Sequence, residues 1–135
     1  MLQTTNIGLY TTAAWALPIL SKLKAEDKPS LLVTSSLLWK QPFPMFFSLS
    51  MVKASQRNLV HSLAMTYQNV HLATLNVGGP VSQEDKYLNP PAVSLPIFLS
   101  HITDRKQIAE KFWELYSQEQ DAWTLDLDLL GEQYR

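Results

Sequence analysis

The chain contains no cysteine among its 135 residues. That excludes disulfides, thiolate metal centres and a cysteine nucleophile, and it fits a reducing compartment. Glycine is scarce: there are four, and none stands in a Gly-x-Gly-x-x-Gly arrangement. The glycine-rich turn that cradles a pyrophosphate against a helix N-terminus is therefore missing. Charge is sparse too, with 17% charged residues and a net charge of -1, which argues against a broad surface for nucleic acid or an anionic membrane. No apolar run approaches the length of a membrane span. The opening MLQTTNIGLY has neither the basic region nor the unbroken apolar core of a secretory signal. No internal repeat or low-complexity tract is present. His61, His71 and His101 show no ligand spacing, which argues against a metal site. The expectation is a cytoplasmic protein without nucleic-acid or membrane partners.

What is present is the patterning of one globular unit, with 46% apolar residues and a length suited to a single core. Residues 4–24 read as a helix in which Ile7, Tyr10, Thr11, Ala14, Leu17 and Ser21 make the apolar face, with Pro18 as a kink. The polar KAEDKPS (24–30) is a connection. LLVTSS (31–36) is a short, partly β-branched run that reads as a buried parallel strand. LLWKQPFP (37–44) is a loop held open by its prolines. From about Met45 to Gln68 the pattern is helical again, with Val52, Leu59, Leu63 and Tyr67 on one face and Val60 and Ala64 beside them. VHLATLNV (70–77) is a second strand, ended by Gly78-Gly79-Pro80. SQEDKYLNPPA (82–92) reads as a loop, and LPIFLSHI (95–102) and RKQIAEKFWELYSQ (105–118) as helices. WTLDLDLL (123–130) alternates apolar and acidic residues, as an edge strand with one wet face does. Two parallel strands joined by a helix form a right-handed crossover unit. The fold class is therefore α/β: a short, mostly parallel sheet of about three strands flanked by helices, with little core of its own.

In an open parallel sheet, ligands bind beyond the carboxyl ends of the strands. The first strand delivers Ser35 and Ser36 to that end, the second delivers Gly78 and Gly79, and the stretch LSMVKAS (49–55) places Lys53 in the first turns of the intervening helix. A hydroxyl, an ammonium and a glycine turn converge there.

From Asn6 to Val81 the sequence resembles the second half of the short-chain dehydrogenase/reductase family. The resemblance is carried by Asn6 in TTNIGLY, Ser36 in LLVTSS, Lys53 in LSMVKAS and the turn in LNVGGPVS. It implies an incomplete Rossmann-like three-layer αβα fold over 1–135, with 1–81 as the catalytic-half region and 82–135 as the substrate-loop and C-terminal region. It also implies NAD- or NADP-linked carbonyl reduction or alcohol oxidation in the parent family. Asn6, Ser36 and Lys53 would be the vestigial catalytic set, and Lys53, Gly78, Gly79 and Val81 the cofactor contacts.

The family's general-acid tyrosine has its counterpart in Leu49, which holds no titratable proton. Losing a general acid typically costs about 10²–10⁴ in rate. Gly78 replaces the usual proline of the turn, and Gln83 stands where a threonine often holds the nicotinamide amide.

Each of these residues also has a plainer reading. Ser36 can bond nearby backbone, Lys53 can be a solvated helix residue, Asn6 a helix cap, and the two glycines a turn. A Ser36–Lys53 hydrolase dyad lacks a Gly-x-Ser-x-Gly elbow. Phe112, Trp113 and Tyr116 read as core or interface, and Asp126 and Asp128 as solvated. Two functions follow. One is the C-terminal part of an oxidoreductase, inactive as this chain. The other is a non-catalytic pseudoenzyme or interaction protein that meets a second copy, or the missing N-terminal half, through helices 4–24 and 45–68. Ala13, Ala14, Trp15, Phe46, Met51 and Val60 are the expected interface residues.

Overall fold

The computed structural model describes residues 2–81, 101–130 and 132–133. A π-helical segment, Gln3–Ile7, leads into helix α1 (Gly8–Leu20). Strand β1 (Ser30–Ser36), helix α2 (Phe47–Thr66) and strand β2 (His71–Gly78) follow. Beyond them come the two-residue β3 (His101–Ile102), helix α3 (Arg105–Ser117), β4 (Asp126–Leu130) and the two-residue β5 (Glu132–Gln133). No helix among the described residues is long and apolar enough to cross a membrane.

The sheet runs β1-β2-β4 and is parallel throughout, with Ser30 opposite His71 and Thr74 opposite Asp126. Its middle strand, β2, is buried at every residue, as expected of a parallel strand covered on both faces. Because side chains alternate along a strand, β2 divides its residues between two cores. Leu72 packs with Val33, Val60, Ala13 and Leu17 under α1 and α2. Ala73, Leu75 and Val77 pack with Leu115 and Leu129 under α3. The result is the three-layer α/β arrangement, Rossmann-like and partial.

Strand order advances in one direction from β1 to β2 to β4, while the connecting helix changes face. The two crossovers are therefore of opposite hand, and only one of them obeys the rule that favours right-handed connections.

The register also fixes which peptide groups of β1 are paired. His71 donates its N–H to the carbonyl of Pro29 at 2.9 Å. In a parallel ladder that phase turns the peptide groups of Leu31, Val33 and Ser35 toward β2. Those of Leu32, Thr34 and Ser36 point to the open edge.

Several expectations are corrected. The buried side of the first helix is Asn6, Ala13 and Leu17, with Leu9 and Leu20 partly covered; Ile7, Tyr10 and Ala14 face outward. No side chain among residues 1–21 carries a charge, so apolar periodicity could not tell the two faces apart. Pro18 lies in the last turn of α1, where one missing hydrogen bond matters least. Ala13 and Val60 belong to the core and cannot serve as interface residues, whereas Trp15 is 71% exposed, Phe47 76% and Met51 65%. His101–Ile102 is not helical: it pairs antiparallel with Glu132–Gln133. The readings over 82–92 and 95–100 lie outside the described residues.

Candidate functional site

The β1 and β2 tips and the start of α2 line an open cleft of about 330 Å³ at the carboxyl end of the sheet. Thr34, Ser35 and Ser36 line it from β1, and Val77, Gly79, Pro80 and Val81 from β2 and its turn. Phe46 and Leu49 line it from the α2 side, with Leu38 and Ile108 completing the walls. Leu49 thus stands in the wall itself.

Ser36 accepts a hydrogen bond from the Leu38 N–H at 3.2 Å and caps the short 3-10 turn Leu37–Trp39. Its neighbour Ser35 is 3% exposed and its hydroxyl has no hydrogen-bond partner among the described residues. Lys53 is half-buried one helical turn beyond Leu49, does not line the cleft, and donates to Gln56 Oε1 at 3.2 Å. Burial lowers its pKa below the ordinary lysine value. Asn6, in the π-helical segment, is buried with both ends of its amide unpartnered, as is the Ser50 hydroxyl on α2. π-Helical turns are frequent at functional sites.

The two glycines have different reasons. A Cβ on Gly78 would lie 2.6 Å from Leu37 Cδ1 and 3.0 Å from Leu130 Cδ1, so close packing requires glycine there. Gly79 has φ 108°, a conformation that L side chains rarely adopt. Thr103 anchors this turn by donating its N–H to the Pro80 carbonyl at 2.9 Å and its hydroxyl to the Gly78 carbonyl at 3.3 Å. Gln83 lies outside the described residues. Of the residues singled out in the sequence, the cleft brings together Ser36, Leu49, Gly79 and Val81; Asn6, Lys53 and Gly78 are not among its walls.

Among the described residues, the densest polar cluster lies elsewhere. Asp126, on the α2 side of β4, accepts from Arg57 Nη2 at 2.7 Å, from Arg57 Nε at 3.2 Å and from the Thr74 hydroxyl. His61 Nε2 is 2.9 Å away. Asn76 donates to Asp128 at 2.9 Å, and Lys40 pairs with Asp128. The Arg57 guanidinium lies 3.8 Å over the Trp39 ring, a cation–π contact. Burial alone would raise the Asp126 pKa. Hydrogen bonds from Arg57 and Thr74, with the charges of Arg57 and His61, outweigh it and hold the carboxyl below its ordinary value. Asp126 is therefore not a solvated residue. Its partners are far off in sequence, so only the i, i+4 spacing of Arg57 and His61 on α2 hinted at a shared counter-ion.

At the opposite end of the sheet, buried His71 stacks on Trp123 with ring centroids 4.8 Å apart and planes 4° apart. Its Nε2 lies 2.9 Å from the Thr124 carbonyl. Burial lowers the His71 pKa, partly offset by backbone hydrogen bonds.

No protein-family model matches this chain, and no curated protein does. Solved structures do match. An alcohol dehydrogenase from the archaeon Thermococcus sibiricus, complexed with 5-hydroxy-NADP, superposes with a TM-score of 0.76 at 20% identity, over 100% of this chain and 54% of that one. A Burkholderia xenovorans protein assigned to the short-chain dehydrogenases/reductases superposes with a TM-score of 0.69 at 20% identity, over 94% of this chain and 51% of that one. The likeness is one of fold, and the chain spans about half the length of each structure.

The resemblance implies a nicotinamide dinucleotide, and the residues present do not fit one. Among the described residues no charged side chain lines the cleft, the Lys53 ammonium is engaged by Gln56, and the wall that would face a reacting carbonyl is Leu49. Among the described residues, no side chain lining the cleft is an acid suited to protonating a substrate oxygen.

Proposed function

We propose that this chain is the C-terminal part of a short-chain dehydrogenase/reductase-like scaffold that has lost catalysis. The observation that carries this reading is Leu49 in the cleft wall, beside Ser35 and Ser36 and where the resemblance calls for an acid. Calorimetry of the folded chain with NADH and NADPH, with circular dichroism to verify folding, tests it. Binding of neither is expected, and micromolar affinity for either would overturn the reading. Leu49→Tyr, made in a chain that supplies the other half of the fold, separates a damaged enzyme from a scaffold with other losses: recovered turnover marks the first, continued silence the second.

An interaction role is favoured by a separate observation. The outer sides of α1 and α2 carry Tyr10, Trp15, Phe47 and Met51, with no charged side chain on α1 at all. Uncharged apolar surface of this kind marks a contact region. The partner would be a second copy or the half of the fold that the solved structures have in addition. A strand feeding α1 through a crossover of the same hand as β1–α2–β2 would lie along the free edge of β1 and not over these outer sides, so they favour a second copy. Trp15→Lys with Met51→Lys should abolish any dimer seen by sedimentation, and an unchanged dimer would exclude this surface.

A further inference from the structure

The outer side of α2 carries thioether sulfur in a chain where no thiol competes for oxidant. We propose that Met51 is a modification site for hydrogen peroxide and organic hydroperoxides, and that its conversion to the sulfoxide releases a second copy from this surface. The inference rests on the reading that the outer sides of α1 and α2 meet a second copy.

The first observation is the inventory of sulfur. The chain has no cysteine and four methionines, and Met45, Met51 and Met65 are 76%, 65% and 77% exposed. A thiolate is ordinarily the first group that a peroxide attacks. Without one, the exposed thioethers take its place. The step is a two-electron oxygen transfer. A sulfur lone pair of Met51 attacks one peroxide oxygen, the O–O bond breaks and an S–O bond forms. The other oxygen takes the hydroperoxide proton and leaves as water or an alcohol. The thioether is oxidised to the sulfoxide and the peroxide is reduced.

The second observation is position. Met51 lies one turn beyond Phe47 on the outward side of α2, the spacing at which an aromatic ring and a methionine pair on a helix surface. Both belong to the surface that also presents Tyr10 and Trp15. Met45 precedes the helix in the 3-10 turn Pro44–Phe46, and Met65 stands in its last turn, about 21 Å along the axis from Met51.

The third is the surrounding charge. The Lys and Arg of α2, Lys53 and Arg57, are half-buried and engaged by Gln56 and Asp126, and α1 has no charged side chain. The outward side therefore offers no cation to a new dipole. Oxidation turns a flexible apolar side chain into a polar one. Pressed against a second uncharged surface, the sulfoxide oxygen gives up water without a charged partner in return. On the separate chain the same oxygen stays hydrated. Oxidation thus weakens association and leaves the fold intact, since Met51 buries little within its own chain.

Treatment of the whole chain with hydrogen peroxide, followed by sedimentation, tests the proposal. Mass spectrometry places the added oxygen and circular dichroism verifies the fold. Oxidation at Met51 should raise the dimer dissociation constant at least about ten-fold, and methionine sulfoxide reductase should restore it. Met51→Leu keeps the apolar volume without the sulfur, so its dimer should survive the same treatment although Met45 and Met65 still gain oxygen. Met51→Gln, polar and uncharged, should weaken the dimer with no peroxide present.

A dimer that persists with Met51 fully oxidised would overturn the proposal. So would a Met51 that stays unoxidised while Met45 and Met65 react, or a Met51→Leu dimer that dissociates under peroxide as readily as the unmodified one. These outcomes leave the second-copy reading standing. A chain already monomeric before treatment would instead sink that reading, and this inference with it.

Discussion

The two edges of the sheet are built differently. β4 turns Asp126 and Asp128 onto the α2 side, where Arg57, His61, Thr74, Asn76 and Lys40 hold them. Inward-pointing charges of this kind make an edge strand a poor template for further pairing. β1 is SLLVTSS, without a charge, a proline or a bulge, and every second peptide group of it faces outward, unpaired by another strand among the described residues. One side of the sheet is closed by its own side chains and the other is open to extension. The contrast explains how a chain covering about half of the solved structures it matches can still form a defined sheet: the specificity that fixes three strands is concentrated at β4.

The largest expected effect tests the phase of β1. Val33 has its N–H turned to β2 and Thr34 has its N–H turned out. Val33→Pro should therefore cost about 3 kcal/mol or more in urea unfolding, while Thr34→Pro should cost less than about 1 kcal/mol. Equal costs would mean that the open edge is misassigned.

The next test dismantles the closed edge. Asp126→Ala strands Arg57 and leaves Thr74 without its acceptor, and should cost about 2–4 kcal/mol. Asp128→Ala breaks a more exposed pair with Lys40 but also takes the acceptor from buried Asn76, and should cost about 1–2 kcal/mol. If the two substitutions proved equivalent, Asp126 would not be the centre of the clamp.

A smaller loss is expected where the closed edge meets the glycine turn. The Cβ of Gly78→Ala would press on Leu37 and Leu130, for about 1–3 kcal/mol. Gly79 tests the neighbouring position by conformation, since its φ of 108° disfavours any side chain.

Acid should sharpen the same contrast. The folded pKa of His71 lies below its ordinary value of 6.5, so as pH falls the unfolded chain takes up a proton first. The stability due to neutral His71 is fully present above 6.5 and is lost below it, until the folded pKa is reached. Asp126 is depressed from 3.8, so its contribution is present above that value and is lost as pH falls through the folded pKa. Both groups secure β4 or its lead-in, one through Thr124 and the other through α2. Hydrogen exchange should therefore show β4 loosening between pH 7 and 5 before β1 does, and His71→Gln should flatten that arm while leaving the one below pH 4.

Periodicity locates the long elements because each buries a distinct stripe: Val52 and Val60 on α2, and the short apolar runs of β1 and β2. It mislocates the buried side of α1, since a helix without charges presents no polar stripe to contrast with the apolar one. The alternation of TLDLDLL identifies a strand at a sheet edge, yet says nothing about what meets its acidic side. The Asp126 clamp draws Arg57 and His61 from α2 and Thr74 from β2, residues that become neighbours only when the sheet has formed. Ser36, Leu49, Gly79 and Val81 are legible as a group because the carboxyl ends of parallel strands lie together; whether a lysine one turn further on reaches the same space depends on side-chain direction, and Lys53 takes Gln56 instead.

The clamp on β4 also sets a timetable. Thr74 and Asp126 meet across 52 residues of chain, and pairings of such separation close late because the entropy of the loop must be met before any contact rewards it. Until they close, β2 has one uncovered side of its own, buried in the finished molecule and bare in the forming one. The vulnerable interval for aggregation is thus the wait for β4, and the rate at which Asp126 finds Arg57 governs how long it lasts.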